Sequence, residues 1–254
     1  MKIINKFSRE SNLSDIVWIG QGGFIFKTLE GKVIVVDPYL SRSVEKKEKL
    51  TRLQEICVKP EDIDADLVLC THDHLDHTDP ETLLKISRVC RAKFVGPTSS
   101  YQHLKKLGID RNRLTRIDRG ETKVINGIKI RAVYTKHTED SVGYIFCFNN
   151  ILVYLTGDTE YDQKLSEVKI YKPGIMLVCI NGKWGNMNVE EAVKLTEDIQ
   201  PKVVIPMHYG MFKENTTNPE KFVQLLKRSN LGSRAVILEC NRSFVCRSLP
   251  GHSK

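Results

Sequence analysis

The chain has 254 residues, 41% hydrophobic and 28% charged, which is the makeup of an ordinary globular protein with ample length for a buried core. Lysine and arginine total 39 against 31 acidic residues, and the formal charge of +8 is a weak bias toward anionic partners that simple solubility explains as well. No apolar run approaches the length of a membrane span, so no membrane-spanning helix is expected.

Three apolar runs, at 16–19, 24–27 and 33–36, predict strands, with Gly20-Gln21-Gly22-Gly23 and Glu30-Gly31 as the turns between them. The third run ends in Asp37-Pro38, where a carboxylate either orients a metal-bound histidine or caps a turn. Residues 41–60 are charged and aperiodic, and read as a surface loop with a short helix. The apolar run 66–70 reads as a buried strand and feeds straight into Thr71-His72-Asp73-His74-Leu75-Asp76-His77-Thr78. Asp79-Pro80-Glu81 then looks like a helix start, with Asp as cap and Pro at the first helical position, and the helix runs over 80–90. The polar cluster therefore sits at the C-terminal end of a strand, where ligands bind in open α/β sheets.

A strand at 93–95 and a helix at 99–107 follow. Lys105, Lys106, Arg111, Arg113, Arg116 and Arg119 are opposed only by Asp110 and Asp118; a solvated face is the default reading of such a run. The runs 121–125, 128–135, 142–148 and 151–156 form a meander divided by Asn126-Gly127 and Asn149-Asn150. Alternation then returns: a strand at 176–180, a helix from the Asn188 cap with Glu191 to 199, a strand at 203–206, a helix from Asn218-Pro219 to 229, and a strand at 235–238. Two sheets packed together with helices outside account for this order. With no linker in sight, residues 1–254 are expected to form a single domain, with 250–254 as a disordered tail.

Imidazole and carboxylate suit zinc, iron or manganese. His72 and His74 can converge on one ion, while Asp76 and His77 can begin a second site. An isolated His-x-His is usually an exposed polar loop; the fuller His-x-His-x-Asp-His after an apolar strand is not. This pattern resembles the signature of the metallo-β-lactamase-fold hydrolase superfamily. The resemblance implies a four-layer αββα sandwich of two mixed β-sheets with helices on the outer faces. It also implies a later His, Asp and His, each after a strand, and His137, Asp158 and His208 fill those places. By resemblance, His72, His74 and His137 hold a first metal and Asp76, His77 and His208 a second. Asp158 bridges the two, Asp37 supports a ligand, and Asp76 and Asp158 take part in catalysis. The implied cofactors are two divalent ions, zinc or manganese with iron also admissible, activating a shared hydroxide.

The stretches 157–161, 180–188 and 205–212 are similar to the branch containing the L-ascorbate-6-phosphate lactonases. That likeness implies opening of a lactone or ester of a small anionic, phosphorylated sugar-like substrate. Asn181, Lys183, Trp184, Asn186 and Tyr209 are the expected substrate contacts. The plainer account of the loop 181–186 is a helix-leading turn whose Trp packs on the core. The alternative enzyme is a phosphodiesterase acting on a phospholipid or nucleotide, with the basic run 105–119 in its favour; a non-enzymatic binder has no need of so complete a ligand set. Nucleic acid and membrane are not expected as partners, and a homo-oligomer is left open. Seven cysteines, with no Cys-x-x-Cys and several inside apolar runs, suggest reduced thiols in the cytoplasm rather than a disulfide framework. Residues 1–15 contain no apolar core of signal-peptide length.

Overall fold

The computed structural model describes residues 15–229 and 231–245; the readings of residues 1–14 and of the tail 250–254 lie outside them. Two seven-stranded mixed sheets make up the architecture. In the first, β1 (Asp15–Gly20), β2 (Gly23–Lys27) and β3 (Val33–Val36) form an antiparallel meander. It continues in parallel through β4 (Leu67–Leu69), β5 (Lys93–Gly96) and β6 (Leu114–Arg116). The second repeats the plan with a meander of β7 (Thr122–Ile125), β8 (Ile128–Tyr134), β9 (Val142–Phe148) and β10 (Ile151–Leu155). Its parallel half is β11 (Ile175–Cys179), β12 (Val203–Met207) and the two-residue β13 (Arg234–Ala235). A last strand, β14 (Ser243–Val245), pairs antiparallel with β1.

Strand side chains alternate between faces, and here both faces are covered. On β1, Ile16 and Trp18 enter the core between the sheets, while Val17 and Ile19 enter a second core. The same division separates Ile34 and Val36 from Val33 and Val35, and Leu67 and Leu69 from Val68 and Cys70. That is why these strands read as unbroken apolar runs. Across the inner interface Phe26 meets Phe146 edge-on, with ring centroids 5.0 Å apart. Truncation of Phe26 to Ala would cost about 3–5 kcal/mol.

The second core is completed by α2 (Pro80–Val89) through Leu83 and Ile86, and by α3 (Thr98–Lys106) through Leu104. On the far side, α4 (Val189–Ile199) and α5 (Pro219–Arg228) bury Leu195 and Phe222. Asp79 caps α2 by accepting from Glu81 N and Thr82 N, and Asn188 and Glu191 close the capping box of α4, as their sequences predict. The charged stretch at 41–60 holds one short helix, α1 (Ser43–Glu48).

Some expectations need correction. Cys57 and Cys240 are joined by a disulfide across 183 residues, with Cα atoms 6.5 Å apart. Pairing of β14 with β1 carries Cys240 back toward the residues before α2, a proximity that spacing in sequence does not reveal. Cys70, Cys90 and Cys179 are free and buried, and Cys147 is free and exposed. The basic run hides strand β6, and its arginines are largely committed internally. Arg113 donates to the carbonyls of Ala92, Ser87 and Cys90, and Arg119 to those of Ser141 and Thr138. A nine-residue 3-10 segment, Gln163–Tyr171, occupies a stretch where no element is expected. Among the described residues no helix is long and apolar enough to cross a membrane.

Candidate metal centre

All seven anticipated ligands meet at one edge of the sandwich. The loop after β4 delivers His72, His74, Asp76 and His77 from the first sheet. The loops after β8, β10 and β12 deliver His137, Asp158 and His208 from the second. Donor atoms lie within 4.8 Å of one another in each of three overlapping groups: His72 with His74 and His137, Asp76 with His77 and His208, and His72 with His77 and Asp158. Asp158 stands between the first two groups. Its Oδ2 is 3.1 Å from His208 Nε2, 3.4 Å from His77 Nε2 and 3.9 Å from His137 Nε2.

Hydrogen bonds on the outer side of the rings fix which nitrogen is bare. Asp37, fully buried, accepts from Thr71 N at 2.7 Å and from Thr71 Oγ1 at 2.6 Å, and its Oδ2 lies 2.8 Å from His77 Nδ1. Because the Thr71 hydroxyl gives its proton to Asp37, it accepts from His72 Nδ1, 3.0 Å away. His137 Nδ1 donates to Gly185 O at 2.9 Å. The inward-facing nitrogens of His72 and His137 are thereby left with lone pairs.

This arrangement fits a cation. His72 Nε2 lies 3.0 Å and His137 Nε2 3.2 Å from His74 Nδ1, so three lone-pair sites converge with at most one ring proton to share. His77 Nε2 and Asp158 Oδ1 are buried with no hydrogen-bond partner. An unmet buried polar group costs about 1–3 kcal/mol, a penalty that coordination removes. The donors are all nitrogen and oxygen, so no thiolate singles out zinc over manganese or iron.

Titration follows the same geometry. Burial pushes His72 well below the ordinary imidazole value, and repulsion from His77 adds to it. His74 is lowered by burial and by His137. Burial opposes protonation of His77, but Asp158, Asp76 and Asp37 outweigh it and hold His77 well above the ordinary value. His208 is raised in the same way, with Asp158 overriding burial. For Asp158 burial favours the neutral acid, yet His208 and His77 keep it well below the usual carboxylate range. Burial lifts Asp37, against the pull of His77 and Thr71.

Two backbone features hold the centre close. Gly185 has φ +81, and a Cβ there would come within 2.9 Å of His137 Nδ1. His208 and Asp37 adopt left-handed φ values of 65° and 42°, unusual for residues with side chains and imposed by their surroundings.

The centre opens into a cavity of about 270 Å³. Of the expected substrate contacts, Trp184 and Asn186 line it, and Asn186 Nδ2 also donates to Asp158 Oδ2 at 2.9 Å. The other three do not. Asn181 is buried and bonds Asn215 Oδ1 at 2.6 Å. Lys183 Nζ donates to Glu214 O at 2.8 Å, fastening its loop to the next. Tyr209 lies against Trp18, with centroids 4.6 Å apart, and donates to Leu238 O at 2.8 Å. Asn181 and Tyr209 are buried, and their polar atoms pair with the scaffold; Lys183 is exposed but spends its ammonium on a neighbouring loop.

Sequence reasoning passes over two supports. Gln21, a turn residue between glycines, is buried and donates to Asp76 Oδ2 at 2.8 Å. Thr71 links Asp37 to His72. Only their places beside known ligand loops would have pointed to them. His103 stays outside the ligand set, with Nδ1 on Asp73 Oδ1 at 2.6 Å.

Two mixed sheets with outer helices and a His/Asp centre at the strand ends define the metallo-β-lactamase fold. A family model described as a beta-lactamase superfamily domain matches residues 15–208, and the chain belongs to that family. A UPF0173 metal-dependent hydrolase of Methanopyrus kandleri is 28% identical over 242 residues, covering 90% of this chain and 98% of that one. Its counterpart in Archaeoglobus fulgidus is 27% identical over 241 residues, covering 90% and 97%. Among solved structures, Igni18, described as a novel metallo hydrolase from Ignicoccus hospitalis, matches with a TM-score of 0.75. It is 23% identical, and the match covers 92% of this chain and 99% of that one.

Proposed function

We propose that this protein is a metal-dependent hydrolase of carboxylic esters or lactones, working with two divalent ions. The observation that carries the reading is the pair of three-donor groups with the Asp158 carboxylate between them. The names of the relatives as metal-dependent hydrolases support it. The bond type follows the likeness of residues 157–161, 180–188 and 205–212 to the lactonase branch.

When bound, such ions would acidify a water and polarise the attacked carbonyl. The protein's own residues do the rest. His72, His74 and His137 would hold one ion and Asp76, His77 and His208 the other, with the Asp158 carboxylate within reach of both groups. Asp37 and Thr71 keep the histidine rings turned so that bare nitrogens face inward. Gln21 steadies the Asp76 carboxylate, which lines the cavity. From there Asp76 can take the proton of the attacking water and pass it to the leaving oxygen. Asn186 holds Asp158 by its amide.

The test is an activity screen of protein reconstituted with zinc, manganese or iron, run against lactones, carboxylic esters and phosphodiesters, with metal content measured by elemental analysis. Two equivalents of metal and hydrolysis of esters or lactones are expected. Failure to retain metal, or turnover confined to phosphodiesters, would overturn the proposal.

A further inference from the structure

Resting on the hydrolase reading of this site, we propose that the outer half of the cavity receives a hydrocarbon group of the substrate, and that Glu48 selects against a negatively charged one. The wall facing the metal centre is a small apolar cluster separate from the two main cores. Val44 and Phe212 are buried in it, and Leu50 and Leu75 pack on them.

Opposite stands Trp184, 58% exposed, one of the few large apolar side chains left to solvent among the described residues. Its backbone lies in the left-handed region at φ +52, an unfavourable state for a tryptophan. The neighbours show why it persists. Gly185 O accepts from His137, and Asn186 holds Asp158, so the loop is pinned on two candidate ligands and Trp184 is carried out over the mouth. A turn whose Trp served only packing would bury the ring. This one spends a strained backbone on an exposed indole at the rim of a site, which suits a flat apolar platform for ligand.

Charge points the same way. Among the described residues, no lysine or arginine lines the cavity. Lys183, the expected phosphate contact, is bound to a carbonyl instead. Away from the ligand carboxylates, the charged group on the wall is Glu48. It ends helix α1, where the backbone dipole disfavours a carboxylate, and it is exposed on the wall between Lys47 and Lys49, neither of which lines the cavity. The stability of α1 does not account for an acid there. A phosphorylated far end, as the lactonase likeness implies, would face this carboxylate with no lysine or arginine on the cavity lining to offset it.

The experiment uses two metal-anchoring ligands that are not hydrolysed and differ only at the far end: hexanohydroxamic acid, ending in methyl, and adipic monohydroxamic acid, ending in carboxylate. Binding to the zinc-loaded protein is followed by calorimetry and by Trp184 emission. The methyl-ended ligand should bind about tenfold tighter, the size expected for one charge beside a partly solvated carboxylate, and the ratio should narrow in high salt. Glu48→Gln should bring the two within about threefold, and Glu48→Lys should reverse the order. Trp184→Ala should weaken the methyl-ended ligand by about tenfold. Equal binding, tighter binding of the carboxylate-ended ligand, no binding of either, or a ratio indifferent to Glu48→Lys would overturn the proposal. Turnover of the matching p-nitrophenyl esters is measured separately. Loss of turnover with the hydroxamate ratio intact would sink the hydrolase reading and leave the cavity assignment standing.

Discussion

Replacement of Asp37 by Asn keeps the shape of a fully buried side chain and removes its charge. Three bonds end on this carboxylate, from Thr71 N, Thr71 Oγ1 and His77 Nδ1, at 2.6–2.8 Å. In the amide one oxygen remains, and it can keep Thr71 N. The NH2 then faces His77 Nδ1 and the Thr71 hydroxyl, both of which had been donors. His77 escapes the clash by moving its proton to Nε2, the nitrogen that faces Asp158 and Asp76. That lone pair is then lost to a metal. Loss of such a supporting partner typically weakens metal binding 10–100-fold, about 1.4–2.7 kcal/mol. The effect should fall hardest on the Asp76, His77 and His208 group, where the amide meets His77 directly; His72 is reached only through the Thr71 hydroxyl, so the His72, His74 and His137 group should weaken less. Titration of metal-free protein with zinc against a chromogenic chelator should therefore show one site weakened by at least tenfold and the other weakened distinctly less. The metal-free Asp37→Asn protein should lose only about 1–2 kcal/mol of stability, since the Thr71 amide stays paired. Two unchanged zinc affinities would refute the reasoning, as would equal weakening of both.

Further predictions use simpler readouts. Asp158→Ala should abolish hydrolysis with the circular dichroism spectrum preserved, whereas His103→Ala should retain most activity, because His103 touches only Asp73 at the rim; equal loss in both would contradict the ligand assignment. Gly185→Ala should weaken zinc binding by tenfold or more and lower the Tm, since the added Cβ meets His137 and φ +81 is hostile to a side chain; wild-type zinc affinity in that variant would count against it. Zinc affinity should climb steadily from pH 6 to past pH 7, because His77 and His208 hold protons above the ordinary imidazole value of about 6.5 and metal must displace them; a flat profile in chelator competition would rule this out. In the metal-free protein their contribution to stability should be complete below about pH 6.5 and fade as pH rises through their raised values, an alkaline decline in Tm that zinc-loaded protein should not show.

The strands that carry ligands are legible in the sequence because each ends at a polar residue after an apolar run, buried on both faces in β4 and β12 and alternating in β8. Leu67–Leu69 before His72 and Val203–Met207 before His208 are the clearest. Helix starts at Asp79, Asn188 and Asn218 are equally plain, since capping chemistry is local. What escapes is whatever depends on contacts distant in sequence. Strand β6 has three residues inside a basic run and is a strand only because β5 lies beside it. Asn181, Lys183 and Tyr209 look like ligand contacts by type, yet their partners Asn215, Glu214 and Leu238 lie 29 to 34 residues further on. The cavity wall comes from 43–54 and 210–216, which are joined by Leu53 N to Met211 O and Lys213 N to Thr51 O. Neither segment carries a motif.

Each group of donors draws on both sheets: His72 and His74 with His137, and Asp76 and His77 with His208. An ion in either place would fasten one sheet to the other at this edge of the sandwich. Melting of one sheet then releases the ions and removes a support from its neighbour. Loading should sharpen thermal unfolding into a single cooperative step, and amide exchange at β4 and β12 should slow together. Such an ion would act as a structural rivet as well as a place for chemistry, so chelation should reach the frame of the molecule along with any activity.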